Sequence, residues 1–442
     1  MDVGRAVDAW LDRVPVRREV LEIVRAAPQR AYLVGGTVRD ALLGRDSDDL
    51  DLAVDGRAMA LARRVADRIG GAYVVMDAER DVARVLRRVG GRRQQFDFAG
   101  LRAEGIVADL RARDYTVNAM ALPVSDPWGE VLDPAGGRAD LEARRLRAVS
   151  DDAFRDDPVR ILRGVRLAGA LDFALTADTE ALALAWLPAL ERVSAERIRD
   201  EWLAILALEA PASTLETAFR LGVAARVLPE AAEDARRWAR LLGTLDRLVA
   251  LEDAWRRGGV GAWVGLAPRL AEHLDAEFSP GQTLGLLLRL AGLLGEVEDP
   301  RPVAVRLRLS GRETRFLVRA VRAAREVLSG PPGGAQGALG TYRYYRAYDE
   351  DGLAGAMLAL ARAGTSSAVE TLVLALLDAW FREREWVVDP PRLLDGGDVV
   401  RLLGGQAGPR VGALLEEVRE AQVQGLVRNR EEALAHLRDR LG

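Results

Sequence analysis

The chain has 442 residues, of which 49% are hydrophobic, and its formal net charge at pH 7 is −4. This length and composition predict a globular protein of about two to four domains. The absence of cysteine excludes disulfides, thiol catalysis and cysteine-ligated zinc, and it agrees with the reducing cytoplasm in which we expect the protein to act. No apolar run reaches the ~20 residues that span a bilayer, so we expect no membrane partner.

The basic residues are all arginine, because the sequence contains no lysine. This excludes a Walker-type phosphate loop and any mechanism that passes through a nucleotidyl-lysine or a Schiff base. The two histidines, His273 and His436, stand alone in helical stretches. A histidine–aspartate phosphohydrolase site is therefore also excluded.

In chain order, residues 1–29 are predicted to form a leading helix, and residues 31–125 a mixture of strands and helices. Five strands are predicted, at 31–36, 50–54, 72–76, 82–89 and 94–100. Residues 60–71 read as an amphipathic helix that ends at Gly70 and Gly71. From residue 139 onward helical periodicity dominates. The sequence therefore predicts an α+β fold, with a small mixed head and a long all-helical remainder.

Glycine- and proline-rich breaks divide the helical part of the chain. They fall at 134–137, 209–213, 256–261, 329–340 and 389–398. The break at 329–340 is the best candidate for a linker, because proline and glycine there disfavour regular structure. We expect four parts, at 1–138, 139–208, 209–330 and 331–442.

The most informative stretch is residues 32–54, YLVGGTVRDALLGRDSDDLDLAV, which predicts a strand, a glycine turn, a short helix and a second strand. Asp49 and Asp51 stand at i and i+2 of the second strand. Their side chains therefore point to one face, while Leu50 points into the core. Two adjacent carboxylates repel each other unless a cation lies between them, and Mg²⁺ prefers oxygen ligands together with substrate phosphates.

The glycine turn before this strand predicts a phosphate site. Gly35 and Gly36 allow the backbone to approach a phosphate closely, and Arg39 adds a fixed cation nearby. A glycine turn, an arginine and paired aspartates together indicate phosphoryl transfer from a nucleoside triphosphate.

A second group of polar residues lies in residues 111–123, RARDYTVNAMALP. Asp114 and Asn118 are one helical turn apart and could bind ribose hydroxyls, while Arg113 could clamp phosphates. Taken alone, the pattern favours a simpler interpretation, a helix start capped by Asp114 and Thr116.

A third group occupies residues 154–173, FRDDPVRILRGVRLAGALDF. Asp156 and Asp157 precede Pro158, as expected at a capped helix start. Three arginines then recur every three residues and share one helix face: Arg160, Arg163 and Arg166. Taken alone, this stretch favours a capped helix with a solvated basic stripe.

A more specific interpretation is that Asp157 and Arg160 read a nucleobase. A carboxylate can accept from the amino group of cytosine or adenine while a guanidinium donates to a ring acceptor. Uracil and guanine present the opposite polarity and would leave buried polar groups unpaired. Arg163 and Arg166 would then face the triphosphate.

The order and spacing of five motifs carry a family resemblance. The motifs are LVGGTVRDALLG…DLDLAV, RARDYTVNAMAL, LDPAGGRADLEARRLRAV, DDPVRILRGVRLAGALDF and VSAERIRDEWLAIL. Over residues 31–205 they closely resemble the class II tRNA nucleotidyltransferases, the CCA-adding enzymes, with bacterial poly(A) polymerases as close relatives. The tail at residues 393–434, which begins LLDGGDVV, resembles the C-terminus of the same family.

The resemblance implies a polymerase-β-like nucleotidyltransferase head at 1–138. It implies a helical neck with the nucleotide-recognition helix at 139–208, a helical body at 209–330, and a tRNA-binding helical tail at 331–442. Residues 133–138 occupy the position of the family's hinge, and residues 193–201 match a helix that braces the neck.

The resemblance also implies roles for single residues. Asp49 and Asp51 would be catalytic metal ligands, and Asp157 and Arg160 the protein template for the base. The remaining nucleotide-binding residues would be Gly35, Gly36, Arg39, Arg113, Asp114, Asn118, Arg163 and Arg166. Asp97, on a neighbouring strand, is the candidate for a third catalytic carboxylate.

The sequence departs from the family pattern in three places. Asp156 replaces the usual glutamate of the template motif, and Tyr115 replaces the usual phenylalanine. The flexible loop between the first two motifs is short, since residues 96–115 run almost directly from the last strand into the second motif. Relatives that add only CC have a shortened loop, so we expect a CC-adding enzyme, with the full CCA-adding enzyme as the alternative.

The expected reaction is attack of the tRNA 3′-hydroxyl on the α-phosphate of CTP, and possibly of ATP, supported by two Mg²⁺ ions. The helical body and tail would hold the tRNA acceptor arm. Two alternatives stay open, a poly(A) polymerase on the same fold and a catalytically inactive RNA-binding relative. A small-molecule nucleotidyltransferase is disfavoured by the long helical C-terminal half.

Overall fold

The computed structural model describes residues 2–102, 104–125, 128–334 and 336–441. The chain forms two compact units, Met1–Ser194 and Ala195–Gly442. The first contains a six-stranded mixed sheet and the second is mainly helical, which confirms the predicted α+β class. The finer division into four parts stays a prediction. None of the helices in the described ranges is long and apolar enough to cross a membrane.

The first unit combines strands and helices in alternation. Its strands are β1 (Arg30–Val34), β2 (Asp49–Asp55), β3 (Ala72–Asp77), β4 (Val82–Val89), β5 (Arg92–Gly100), β6 (Ala121–Pro123), β7 (Arg145–Leu146) and β8 (Ala174–Leu175). Its helices are α1 (Val3–Asp12), α2 (Pro15–Arg25), α3 (Gly36–Leu43), α4 (Ala58–Ile69), α5 (Ile106–Arg111), α6 (Gly137–Glu142), α7 (Ala153–Asp156), α8 (Arg160–Leu171) and α9 (Ala177–Trp186), with 3₁₀ turns at Thr116–Asn118 and Leu187–Arg192.

The large sheet has the strand order β3-β4-β5-β2-β1-β6. Strands β2 and β5 are parallel, and the other neighbours are antiparallel. The five predicted strands are confirmed, and β6 is an addition that extends the sheet beside β1. The sequence did not predict β6 because three residues ending in proline carry almost no strand pattern.

The central strand β2 alternates as its sequence predicts. Leu50 and Leu52 are each 1% exposed and face the core, together with the fully buried Phe96 and Phe98 of β5. The carboxylates of β2 therefore point to the opposite face of the sheet. Because of this alternation, a polar site on one face of the sheet is backed by a fully packed core on the other face.

Proline explains two helix predictions that were wrong. The single leading helix is in fact α1 and α2, because Val14 is extended and Pro15 begins the second helix. The predicted cap at Asp156 and Asp157 does not form, since α7 ends at Asp156 and α8 begins only at Arg160. Asp157 precedes a proline, and a residue in that position is driven into the extended conformation that it adopts here.

The second unit is built almost entirely from helices. They are α10 (Ala195–Leu206), α11 (Pro211–Arg220), α12 (Val223–Val227), α13 (Ala235–Arg256), α14 (Ala267–Asp275), α15 (Leu284–Leu293), α16 (Arg301–Arg306), α17 (Gly311–Ser329), α18 (Gly337–Tyr348), α19 (Asp351–Ala363), α20 (Ser367–Arg382), α21 (Gly396–Leu402), α22 (Pro409–Val423) and α23 (Arg430–Leu441). Short strands β9 (Glu277–Ser279) and β10 (Gln282–Thr283), 3₁₀ turns at Gly261–Trp263 and Pro332–Gly334, and a π-helical turn at Arg384–Val388 complete the unit.

Two clusters stabilise the second unit. Arg289 forms a buried ion pair with Glu252 at 2.7 Å and also donates to the carbonyl of Leu206, so it joins α15, α13 and α10. Toward the C-terminus, a separate apolar cluster is made by α21, α22 and α23 and the residues next to them. The predicted linker at 329–340 connects α17 to α18 inside this unit rather than separating two compact units.

Candidate active site

The two carboxylates of β2 lie where the first motif predicts them. Asp49 is exposed, Asp51 is partly exposed, and Leu50 between them is buried, so both acids share one face of the sheet. The backbone N–H of Asp51 donates to Oγ1 of Thr37 at 2.7 Å. This bond ties the strand to α3, which begins at the glycine turn, and fixes the strand and the turn relative to each other.

The electrostatics of these carboxylates indicate a site that gains from a cation. Burial, followed by the negative charges of Asp97 and Asp49, raises the pKa of Asp51 to about 6. Burial and the charge of Asp97 also raise the pKa of Asp49. Without a cation, each carboxylate makes ionisation of the other less favourable.

Asp97 lies on the same face as Asp49 and Asp51. It is paired with Asp51 in the parallel register of β2 and β5, and with Arg84 in the antiparallel register of β4 and β5. Arg84 holds it in a two-pronged ion pair, with Nε 2.7 Å from Oδ1 and Nη2 2.8 Å from Oδ2. Nε2 of Gln95 adds a third bond to Oδ2 at 3.2 Å.

The donor set fits a hard cation such as Mg²⁺. Asp49 and Asp51 supply carboxylate oxygens, which Mg²⁺ prefers, and one or two protein carboxylates are sufficient when a substrate supplies phosphates. In the part of the chain that the structure describes, no three acidic or histidine side chains are gathered closely enough to hold a metal by themselves. The role of Asp97 as a third catalytic carboxylate therefore stays a prediction.

The glycine turn closes the site on one side. Gly35 has φ of 63°, a conformation that favours glycine, and a Cβ built on it would lie 2.8 Å from Nη1 of Arg113 and 3.7 Å from Oδ2 of Asp51. A Cβ on Gly36 would lie 3.4 Å from Nη2 of Arg39 and 3.8 Å from the same Asp51 oxygen. The predicted glycines, arginines and carboxylate are therefore brought together around one small space.

Arg39 is held in a fixed orientation beside this turn. Its Nε and Nη2 donate to the two carboxylate oxygens of Asp40 at 2.9 and 3.0 Å, and its Nη1 donates to Oδ1 of Asn118 at 2.6 Å. Asn118 is 3% exposed and in turn donates from Nδ2 to Oδ1 of Asp114 at 3.2 Å. A connected hydrogen-bond network therefore joins the first and second motifs.

Asp114 is the centre of the second motif, and it is 7% exposed. Its Oδ1 accepts from the backbone of Tyr115 at 2.8 Å, and its Oδ2 lies 2.8 Å from Nε of Arg163 on α8. Burial opposes ionisation, but the charge of Arg163 and the hydrogen bonds hold the pKa of Asp114 below its usual value. The predicted helix start does not form here, since the following residues make a 3₁₀ turn and then β6.

Arg160 faces the same segment from α8. Its Nη2 donates to the carbonyl of Ala112 at 2.9 Å, and its Nη1 donates to the carbonyls of Arg113 and Ala153 at 3.3 and 3.2 Å. These described bonds use three of the five N–H donors of a guanidinium. Arg160 is therefore fixed in place, and its Nε–H and one further N–H stay available among the contacts described.

Tyr115 fixes α8 from the other side. Its hydroxyl donates to the carbonyl of Arg160 at 2.7 Å. The ring lies so close to the helix that a Cβ on Gly164 would be only 1.9 Å from the hydroxyl oxygen. The replacement of the usual phenylalanine by Tyr115 therefore adds a hydrogen bond to the helix of the predicted template.

The remaining predicted residues lie around this centre. Asp157 is partly exposed in the three-residue connection between α7 and α8, and Arg166 is partly exposed on α8. Arg163 is 47% exposed beyond its contact with Asp114. Arg113 pairs with Asp109 at 3.2 Å and points toward the glycine turn.

Four residues of the site were not predicted as contributors: Thr37, Asp40, Arg84 and the hydroxyl of Tyr115. Thr37 and Asp40 lie inside the first motif, where i, i+3 spacing along α3 could have placed them beside the glycine turn and Arg39. Arg84 belongs to a stretch that reads as a solvated basic strand, and the register of β4 on β5 reveals its partner. Gly90 and Gly91 alone separate these two strands, and such a pair is a local signal for the tight hairpin turn that sets this register.

The sequence matches two known family models. A family model described as the poly A polymerase head domain matches residues 31–147, and one described as the probable RNA and SrmB-binding site of polymerase A matches residues 172–234. The chain is 35% identical to a CC-adding tRNA nucleotidyltransferase of Geobacter sulfurreducens, over 96% of this chain and 95% of that relative. It is 33% identical to an A-adding tRNA nucleotidyltransferase of Deinococcus radiodurans, over 92% and 95%.

The fold is similar to that of a solved CCA-adding enzyme in complex with CTP. The TM-score is 0.72 at 22% identity, and the match covers 100% of this chain and 99% of the other. At this identity the likeness concerns the fold, and it extends over both compact units.

Proposed function

Because this chain belongs to the tRNA nucleotidyltransferase family, we propose that it adds CC to the 3′ end of tRNA from CTP, without a nucleic-acid template. The observation that carries this proposal is the grouping of Asp49 and Asp51 on one sheet face beside the Gly35–Gly36 turn, with Arg39 and Arg113 next to it. Carboxylates that require a cation lie next to a backbone turn that can cradle phosphates, as a triphosphate substrate requires.

Asp49 and Asp51 would hold two Mg²⁺ ions against the triphosphate. When bound, such ions lower the pKa of the attacking 3′-hydroxyl and stabilise the departing pyrophosphate. The protein itself positions and orients the reacting groups. Thr37 fixes the Asp51 backbone, and no side chain is required as a general base.

Arg39 and Arg113 would bind the phosphates beside the glycine turn. Arg39 is already oriented by Asp40 and Asn118, so little side-chain entropy is lost when phosphate binds. Asp114 and Asn118 are largely buried in this network. We infer that they act mainly by supporting Arg39 and Arg163, rather than through a direct contact with the nucleotide.

Asp157 and Arg160 would select the base. The carbonyls of Ala112 and Arg113 hold the guanidinium of Arg160 in one orientation, so its free N–H donors face a fixed direction. A fixed donor beside a carboxylate distinguishes strongly between bases of opposite hydrogen-bonding polarity, because a mismatched base leaves buried groups unpaired.

The restriction to CC rests on the connection between β5 and α5. Strand β5 ends at Gly100 and α5 begins at Ile106, which leaves only residues 101–105 between them. A segment this short is in keeping with the shortened loop of CC-adding relatives. The names of the relatives alone do not distinguish CC addition from A addition, because both a CC-adding and an A-adding enzyme are similar to the chain.

The second unit, with its all-helical architecture, would bind the acceptor arm of the tRNA. A-form RNA is recognised mostly by shape and by backbone contacts, which rigid helices can supply. Residues 172–234, which match the RNA-binding family model, begin in the first unit and continue into the second.

The test uses two tRNA substrates, one that lacks its last three nucleotides and one that ends in CC. Each is incubated with CTP alone, ATP alone, or both, and the products are read at single-nucleotide resolution. A CC-adding enzyme extends the first substrate by two nucleotides with CTP, whether or not ATP is present, and leaves the second unchanged.

Other products would identify the alternatives. Extension of the first substrate by three nucleotides with both triphosphates indicates full CCA addition. A single A added only to the second substrate indicates an A-adding enzyme. Long products from ATP on an unstructured RNA indicate a poly(A) polymerase, an activity suggested by the family model of the head. No transfer under any condition would contradict the proposal.

A further inference from the structure

We propose that Arg84 is a positioning residue that sets how strongly Asp49 and Asp51 hold a divalent cation, because it neutralises Asp97 beside them. This inference rests on the proposed function, in which the two carboxylates of β2 bind the metal. It assigns a role to an arginine on a strand that carries none of the predicted site residues.

Strand register places the three relevant side chains in a row. Asp51 of β2 is paired with Asp97 of β5, and Asp97 is paired with Arg84 of β4. Paired residues on neighbouring strands point to the same face of a sheet. Arg84, Asp97 and Asp51 therefore cross one sheet face as a positive, a negative and a negative charge.

The contact between Arg84 and Asp97 is stronger than an ordinary surface ion pair. Both prongs of the guanidinium bind, at 2.7 and 2.8 Å, and the two side chains are only 28% and 27% exposed. A two-pronged, partly shielded pair of this kind is well ordered and specific in its geometry. Gln95 donates to the same carboxylate at 3.2 Å, so Asp97 has little freedom to turn toward β2.

The contact between Arg84 and Asp97 changes the net charge beside Asp49 and Asp51. Asp49, Asp51 and Asp97 would together present three negative charges, and Arg84 reduces that total to two. Neighbouring strands are about 4.8 Å apart, and a unit charge at one to two strand spacings alters cation affinity by roughly ten- to a hundredfold in a partly shielded site. Arg84 therefore lowers the affinity of Asp49 and Asp51 for a divalent cation.

Two other roles for Arg84 make different predictions. If Arg84 held Asp97 in place as a metal ligand, its loss would weaken metal binding. If Arg84 bound the triphosphate, its loss would raise KM for CTP and leave metal binding without nucleotide unchanged. Under the proposal, its loss strengthens metal binding in the absence of any nucleotide.

The experiment titrates full-length protein with Mn²⁺, as a spectroscopic probe for Mg²⁺, and follows free Mn²⁺ by electron paramagnetic resonance without nucleotide or tRNA. Arg84→Met should bind Mn²⁺ about tenfold or more tightly than the wild type. Arg84→Lys, which keeps the charge, should stay close to the wild type. Asp97→Asn, which leaves Arg84 unbalanced, should bind more weakly.

The double variant Arg84→Met/Asp97→Asn is the decisive member of the set. It restores the wild-type charge of the site without the ion pair, so its Mn²⁺ affinity should return toward that of the wild type. Arg87→Met is the matched control, since Arg87 is on the same strand but bridges to Glu19 at 2.9 Å and does not contact Asp97. It should leave Mn²⁺ binding unchanged.

Weaker or unchanged Mn²⁺ binding by Arg84→Met, with a normal circular dichroism spectrum, would overturn the proposal. If Arg84→Met does not fold, Arg84→Gln takes its place, because it removes the same charge, and weaker or unchanged Mn²⁺ binding by that variant would overturn the proposal. Failure of the proposed function can be distinguished from failure of this inference. It would be seen as absence of nucleotide transfer by the wild type, whereas the Mn²⁺ titration requires no transfer.

Discussion

Nε of Arg163 lies 2.8 Å from Oδ2 of Asp114, and this contact joins the helix of the predicted base template to the turn behind the phosphate-binding arginines. From Asp114 the network continues through Asn118 to Arg39, which lies beside the glycine turn. The proposed base-reading residues and the proposed phosphate-binding residues therefore share one set of hydrogen bonds. A substitution at either end of the network should therefore affect the residues at the other end.

The first prediction concerns this network. Asp114→Asn keeps the shape of the side chain but removes the charge that Arg163 requires, so we expect kcat/KM for CTP to fall by roughly 10- to 100-fold. Arg163→Met should have a similar effect. Because the two residues act as a unit, the double variant should lose little more than either single variant. Steady-state kinetics of the four proteins measures this, and additive losses would show that the pair is not a functional unit.

The second prediction concerns base selection. Arg160→Ala removes the fixed donors that distinguish cytosine from uracil, so CTP should lose at least about tenfold of its preference over UTP. The measurement is the ratio of kcat/KM for the two triphosphates. Arg155→Ala is the control, because Arg155 is exposed and pairs with Asp152 at 2.7 Å at the surface. Unchanged selectivity in Arg160→Ala would count against the template assignment.

The third prediction separates backbone strain from steric conflict at the glycine turn. Gly35 and Gly364 share a backbone conformation that favours glycine, with φ and ψ of 63° and −130° at Gly35 and of 64° and −116° at Gly364. A Cβ on Gly35 meets Nη1 of Arg113 at 2.8 Å, whereas a Cβ on Gly364 meets nothing within 4 Å. Both alanine variants should lose about 1–3 kcal/mol of stability from strain. Only Gly35→Ala should also lose activity, by tenfold or more, because Arg113 must move. Thermal unfolding and CMP incorporation test the two effects, and equal activity of the two variants would contradict the crowded turn.

The fourth prediction follows from the raised pKa of Asp51, about 6 against an ordinary value of 3.8. The folded metal-free protein binds this proton more tightly than the unfolded chain does, so ionisation of Asp51 costs stability as pH rises from about 4 to about 6. Asp51→Asn removes that cost. Its free energy of unfolding should exceed that of the wild type by about 1–3 kcal/mol at pH 8 and by much less near pH 4.5.

Urea unfolding at several pH values, with a metal chelator present, measures this difference. Added Mg²⁺ should then stabilise the wild type and leave the variant nearly unchanged, since binding to the folded state alone raises stability. A variant that is no more stable at pH 8, or that gains most at acid pH, would show that Asp51 is not held in an unfavourable charge state.

Much of the site follows from local sequence, because its main signals have short periods. The shared face of Asp49 and Asp51 requires only the two-residue period of a strand, and the glycine turn is legible from two adjacent glycines. The break between Asp157 and Arg160 could also have been foreseen, since a proline restricts the residue before it. The predicted cap gave more weight to the acidic residues than to that restriction.

The rest depends on contacts between distant segments. The partners Arg84 and Asp97 are defined by the register of β4 on β5, and Asp114 and Arg163 by the packing of α8 against the second motif. The contact of Asp114 with Arg163 has no local pattern that separates it from a solvated arginine, whereas the Gly90–Gly91 turn between β4 and β5 could have placed Arg84 opposite Asp97. The short strand β6 likewise becomes regular only because β1 offers it an edge.

The central claim is that Asp49 and Asp51 hold the cations for nucleotide transfer to tRNA. The most direct measurement is CMP incorporation at saturating Mg²⁺ into tRNA that lacks its last three nucleotides, by Asp51→Asn and Asp49→Asn, with tRNA affinity measured in parallel. We expect a loss of at least about a thousandfold in the rate of incorporation, with tRNA affinity within a few fold of the wild type. Incorporation at a rate near that of the wild type by either variant would contradict the central claim.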